Sequence, residues 1–212
     1  MKIQPLTPKK ALNKAFLKLK PNRLEIERFK ANFVQLLDRM NAQESEEYHK
    51  NLISEFLRKT YYSPAHFINT KGRADLVIHD GNKENSPVGV IIETKKPTNK
   101  SEMPTLENIN VKAFQELVLY YMRERIIHKN VQIRHLIATN IDEWLIFDVS
   151  VFEKNFVNNK VFLQRFTDFE AGRLAGKTTD FFYHEIAAPY IENFEHELEF
   201  THFNIQDRKS VV

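Results

Sequence analysis

Apolar residues first recur at helical spacing at Ala11, Leu12, Ala15, Phe16 and Leu19, which predicts a helix opened by Thr7-Pro8 and closed at Pro21. A second helix is expected from about Arg23 to Met40, and a third through ESEEYHKNLISEFLRKTYY, with Leu52, Ile53, Phe56 and Leu57 as its stripe. Strand candidates follow: AHFIN, ADLVIHD and VGVIIETK, the last two joined by the turn-rich GNKENSP and expected to pair antiparallel. A long helix is predicted from roughly Leu106 to His128, then the strands RHLIATN and EWLIFDV. Beyond Ser150 the pattern predicts a helix near SVFEKNFV, a phenylalanine-rich connector, and a helix from about Thr179 to Phe194.

This order predicts an α/β (α+β) fold: one mixed central sheet flanked by helices, with extra N- and C-terminal helices. Two regions are expected, 1–150 carrying the N-terminal helices and the core, and 151–212 as a helical extension or connector. At 212 residues and 42% apolar content the chain can bury one sizeable core. Cysteine is absent, no apolar run spans a bilayer, and MKIQPLTPKK lacks the apolar centre of a signal peptide. A cytoplasmic protein with no membrane partner is expected. The net charge is only +3, but it is uneven: Lys9, Lys10, Lys14, Lys18, Lys20 and Arg23 crowd the start, while YIENFEHELEF is acidic. The basic end is a candidate for phosphates, and a solvated helix face is the plainer alternative.

The stretch VGVIIETKKP, residues 88–97, begins wholly apolar and ends in Glu93, Lys95 and Lys96. Strand side chains alternate, so Asp75, Val77 and His79 share one face, as do Ile91, Glu93 and Lys95. Hairpin pairing brings Asp75 beside Glu93, with Lys95 one residue pair further along. Two carboxylates at the rim of an apolar core repel each other and need a compensating cation, and a hard divalent ion such as Mg²⁺ suits oxygen donors. Such an ion keeps waters, one of which can attack a phosphodiester while the ammonium positions it or stabilises the oxyanion. Glu-x-Lys on an exposed strand is ordinarily a solvated charge pair. Here VGVII makes the strand central, and the chain has no second Glu-x-Lys.

The segments KGRADLVIHD, VGVIIETKKP, AFQELVLYYMRERI and HLIATNIDEWLIFD resemble the PD-(D/E)xK nuclease superfamily over roughly residues 44–148. More narrowly they look like the N-terminal cleavage domain of type IIG restriction enzymes, which fuse nuclease and DNA methyltransferase. The resemblance implies a restriction-endonuclease-like core and Mg²⁺-dependent DNA cleavage, with Asp75 and Glu93 as metal ligands and Lys95 as the catalytic lysine. It also directs attention to an acidic residue on the preceding helix, Glu46 or Glu47. Helical geometry sets Glu46 within the arc of Ile53 and Leu57, and Glu47 outside it. Gln115 is a further candidate, although Tyr120 lies five residues beyond it where some relatives space the pair by four. The family's proline before the aspartate is Ala74 here. Lys71, Arg73, Lys96 and Lys100 flank the site as DNA-phosphate contacts. Implied partners are double-stranded DNA, a fused or separate DNA methyltransferase and specificity module, and a transient second copy for double-strand cleavage. The chain lacks methyltransferase motifs, so a fragment or a stand-alone relative is expected. A non-cleaving DNA-binding or partner-docking module of the same fold is the alternative.

Three competing signals are weaker. AGRLAGKT, residues 171–178, matches a relaxed phosphate-binding loop but follows a charged, amphipathic segment rather than a buried strand. His184, His196 and His202 fit no zinc-hydrolase spacing, and Trp144 and Phe147 read as sheet packing rather than base stacking.

Overall fold

The structure, a computed structural model, describes residues 2–194 and 197–207. Its strands are β1 (Lys2–Leu6), β2 (Ile68–Lys71), β3 (Ala74–His79), β4 (Val88–Thr94), β5 (His135–Thr139), β6 (Glu143–Asp148) and β7 (Glu197–Asn204). They form one mixed sheet in the order β1-β7-β6-β5-β4-β3-β2. β2, β3 and β4 make the expected antiparallel meander. β5 joins β4 in parallel, β6 and β7 follow antiparallel, and β1 closes the far edge parallel to β7. A single row of paired residues runs Leu6, Thr201, Ile146, Ile137, Ile92, Leu76. Strands β1, β7, β5 and β4 therefore all finish at one edge of the sheet, where β3 begins.

Alternation sorts the sheet into two faces. Val77, Ile91, Leu136, Ala138, Leu145, Phe147, Leu198 and Phe200 join the larger core. It is covered by α4 (Lys112–Met122), α5 (Val149–Phe152) and α6 (Lys160–Glu170). Leu76, Ile78, Ile92 and Trp144 pack on the other face, against Leu36 of α2 (Arg23–Arg39) and Leu52, Ile53 and Leu57 of α3 (Glu46–Leu57). α2 opens with a capping box: Glu25 N–H donates to Asn22 Oδ1 at 2.9 Å and Asn22 N–H to Glu25 Oε2 at 2.8 Å. α4 is buried from Ala113 through Met122, its polar Gln115 and Glu116 included.

Several predicted elements differ from the structure. The helix expected from Thr7 to Pro21 is only α1 (Pro8–Ala11) and a short turn at Phe16–Lys18. Asn13 Oδ1 takes the Ala15 N–H at 2.8 Å, and Leu12, Phe16, Leu17 and Leu19 are exposed, so no packing sustains a longer helix. The strand expected at AHFIN begins only at Ile68. The helix expected from Leu106 starts at Lys112, because Thr105 Oγ1 and Asn108 Oδ1 capture backbone N–H groups in the preceding turn. The phenylalanine-rich connector is α6, capped by Asn159. The helix expected from Thr179 to Phe194 is present and unbroken from Thr179 to Glu192, as α7 (Thr179–Phe181), a wider π-helical stretch Phe182–Ala187, and α8 (Ala188–Glu192).

The acidic tail supplies β7. Glu197 and Glu199 face solvent, while Leu198 and Phe200 enter the core. The region expected as a helical extension thus also gives the sheet a strand and the core its C-terminal phenylalanines. No described helix is long and apolar enough to cross a membrane.

Candidate active site

β3 and β4 pair Leu76 with Ile92 and Val77 with Ile91. One step further, the same register sets Asp75 opposite Glu93, at the edge where β4 ends. Lys95 stays in sheet register because its N–H donates to Thr139 O at 2.9 Å. Its side chain is buried, and Nζ donates to Glu93 Oε1 at 2.6 Å and to Glu116 Oε2 at 2.8 Å. Glu46 Oε1 lies 3.8 Å from the same nitrogen. The ammonium is thus surrounded by carboxylates from its own strand, from α4 and from α3.

Asp75 is fixed across the hairpin: Oδ2 accepts from Thr94 N–H at 2.9 Å and from Thr94 Oγ1 at 2.7 Å. Glu93 is only 3% exposed, and its Oε2 is buried with no hydrogen-bond partner. An orphaned buried oxygen costs about 1–3 kcal/mol, so a partner for this atom, either a proton shared with Glu116 or a group from outside the chain, would be stabilising. Burial, reinforced by Glu116 and Asp75 and opposed by Lys95, holds the Glu93 carboxyl well above the usual range. For Lys95, burial pulls downward, but Glu93 and Glu116 outweigh it and hold the amine above the ordinary lysine value. Lys95 is therefore an ammonium across the physiological range. Nearby, burial and then Glu116 push the Tyr183 phenol up to about 12, and burial followed by Glu93 raises Tyr120 further. Both are neutral hydroxyls at neutral pH.

The other expected site residues separate. Glu46, in the first turn of α3, accepts from the Lys96 N–H at 3.3 Å and so joins the cluster. Glu47 turns away to pair with Lys50 and is mostly exposed. Gln115 Nε2 donates to Asn110 Oδ1 at 3.0 Å, bracing the loop ahead of α4. Its neighbour Glu116 is the residue that reaches Lys95, and sequence reasoning missed it. The available signal was a carboxylate inside the apolar run AFQELVLYYM, but only the packing of α4 on β4 identifies its partner. Thr94 was missed as well. Lys71 pairs with Glu124 at 2.7 Å, and Arg73 donates to Thr179 Oγ1 at 2.9 Å. Both line a cavity of about 270 Å³ with Tyr120, Arg123 and His128. Lys96 is half-buried and Lys100 exposed, just past β4.

Among the described residues, no three His, Asp or Glu side chains already converge as a metal cage. The donors nonetheless suit a hard cation. Asp75 and Glu93 offer carboxylate oxygens, one of them unpartnered, and Mg²⁺ typically takes one or two carboxylates and completes its shell with water.

The competing signals resolve into packing. A Cβ on Gly176 would land inside the Phe181 ring, and Thr178 Oγ1 caps α7. His202 bonds Glu143 at 2.6 Å, His184 is exposed, and His196 lies outside the described residues. Trp144 Nε1 donates to Ile141 O at 2.7 Å, its ring stacks on Phe203, and Phe147 is core. No curated protein and no solved structure matches the chain. A family model matches residues 6–212, and the chain belongs to the family it describes, Domain of unknown function (DUF7149).

Proposed function

We propose that the chain is a Mg²⁺-dependent DNA endonuclease, hydrolysing phosphodiester bonds on a restriction-endonuclease-like core. One observation carries the reading: Glu93 gives one oxygen to the Lys95 ammonium and keeps the other buried and unpartnered, opposite Asp75. Asp75 and Glu93 would hold the ion, which when bound supplies Lewis acidity and a water of lowered pKa.

The chain's own residues do the rest. Thr94 locks the Asp75 carboxylate in place. Lys95, protonated throughout, serves as a fixed positive charge for the developing oxyanion rather than as a base. Glu46, its side chain 39% exposed, is the carboxylate of the cluster open to water, and it orients the attacking water from α3. Lys71, Arg73, Lys96 and Lys100 hold flanking phosphates. The favoured setting is a restriction system, as the cleavage domain of a type IIG enzyme acting with a fused or separate methyltransferase and specificity module. One such site cuts one strand, so a double-strand break calls for a transient second copy.

The second reading is a non-cleaving DNA-binding or partner-docking module of the same fold. The burial of Lys95, 2% exposed and bonded to two carboxylates, favours it, because an amine so engaged also makes sense as a structural charge pair.

Nicking of supercoiled plasmid in Mg²⁺ separates the two. The wild type should nick, and Glu93→Gln and Lys95→Met should each lose activity about 100-fold or more. Breaking a buried pair costs about 3–5 kcal/mol, so circular dichroism must show both variants folded under assay conditions. Nicking that survives both substitutions sinks the proposed site, and duplex binding without nicking by the wild type selects the second reading.

A further inference from the structure

We propose that the N-terminal arm, residues 9–23, is a second contact for the phosphate backbone of duplex DNA, leaving the sheet at the same edge as the candidate site. The identity of its ligand rests on the DNA reading above, whereas its residues are separate from that site. The first 24 residues contain no acidic side chain and seven basic ones. Lys2 pairs with Glu197 at 3.1 Å. Lys9, Lys10, Lys14, Lys18, Lys20 and Arg23 make no ion pair with any described residue, and every residue from 9 to 28 is exposed. Some cations elsewhere are engaged, as Lys71 is by Glu124 and Arg123 by Glu170. A run of unpaired positive charge with no acid among it is attractive to a polyanion in a way that a balanced helix face is not.

Topology supplies the second argument. β1 and β4 point the same way, so the arm leaves β1 after Leu6 at the edge where β4 delivers Glu93 and Lys95. The row from Leu6 to Ile92 crosses four strand spacings, ~19 Å at about 4.8 Å each. That is about half of the ~34 Å helical turn of B-DNA. A duplex lying along this edge with one phosphodiester at the site therefore meets the root of the arm, at Leu6, about half a turn away. Of the acids between the two, Glu143 accepts from His202 and Asn204 and Asp142 from Gln206, which ties their side chains to neighbouring residues.

The rival ligand is an anionic membrane, because Phe16 and Leu19 are about two-thirds exposed among the lysines. Membrane-surface segments gather their apolar side chains on one face of a continuous helix. The arm is helical only at Pro8–Ala11 and in the turn Phe16–Lys18, which favours DNA.

The test compares the wild type, the double variant Lys14→Gln/Lys18→Gln, and a charge-matched control, Lys83→Gln/Lys129→Gln, altered at the opposite edge. Each is titrated without divalent metal against a duplex of about 21 bp, two helical turns, over roughly 50 to 200 mM salt. Each is also titrated against vesicles of phosphatidylglycerol. The arm variant should bind duplex more weakly, with the slope of log affinity against log salt reduced by about 1.8, or about 0.9 per lost phosphate contact. The control should match the wild type. If the wild type binds duplex and the arm variant has the same slope and affinity, the arm inference falls while the DNA reading stands. If the wild type binds neither duplex nor vesicles, or vesicles alone, both fall. Arm-dependent duplex binding by a protein that never nicks plasmid removes the nuclease and leaves the arm.

Discussion

Glu93 is the residue whose environment reports most directly on the site. A buried carboxyl beside Glu116 keeps its proton to higher pH than a free one, which titrates near 4.3. Between the unfolded value and the raised folded value, the folded chain holds a proton that the unfolded chain has released. Stability is therefore full below the unfolded value and declines as pH rises through the folded one. Glu93→Gln has no such titration. Its Tm relative to the wild type should increase from about pH 5 to about pH 8. Thermal melts across that interval check this, and a constant difference would mean that Glu93 is not the strained carboxyl. At this scale the strand residues were legible. That Asp75, Glu93 and Lys95 share a face followed from alternation and hairpin pairing, because a period of two fixes which side chains lie together. Glu116 was not legible, because its role arises from α4 lying across β4 and leaves no trace in spacing.

Elements with a complete apolar stripe or run announced themselves. α2, α3, β3 and β4 lie close to their expected positions, since each buries a periodic face. α6 was overlooked because its phenylalanines, Phe162, Phe166 and Phe169, are the inward stripe of a short helix and resembled an irregular aromatic connector. The loop that follows it makes the same point about glycine. Gly176 sits where a phosphate-binding motif would want it, yet the space a Cβ would fill belongs to Phe181. Gly176→Ala should therefore lower stability by about 1–3 kcal/mol, seen as a reduced midpoint in urea. No nucleotide effect on that midpoint should appear in either protein, and stabilisation by ATP would restore the nucleotide-binding reading.

The whole molecule is organised by a sheet that gathers strands from both ends of the chain. β1 and β7 complete the far edge, and Phe200 of β7 packs against Phe147 of β6 with the rings tilted at 5.1 Å between centres. Residues after 150 therefore share a core with those before it, and unfolding should be one cooperative event. Trp144 fluorescence, reporting from β6, and far-UV circular dichroism, reporting from every helix, should give the same urea midpoint. Two separated transitions would show that the C-terminal helices form an independent unit.

The amino-acid order by itself determined the mixed α/β class, the antiparallel meander, and the line of acid, acid and amine at its rim. Each of these depends on local periodicity, a property of neighbours in the chain. Tertiary structure decided what depends on residues far apart: the parallel addition of β1 to β7, the approach of Glu46 to Lys95, the arrival of Glu116 at the same amine, and the departure of a basic arm from the edge that carries them. Burial is what converts those encounters into consequences, since a charge removed from water must find its counterpart wherever the fold has put one.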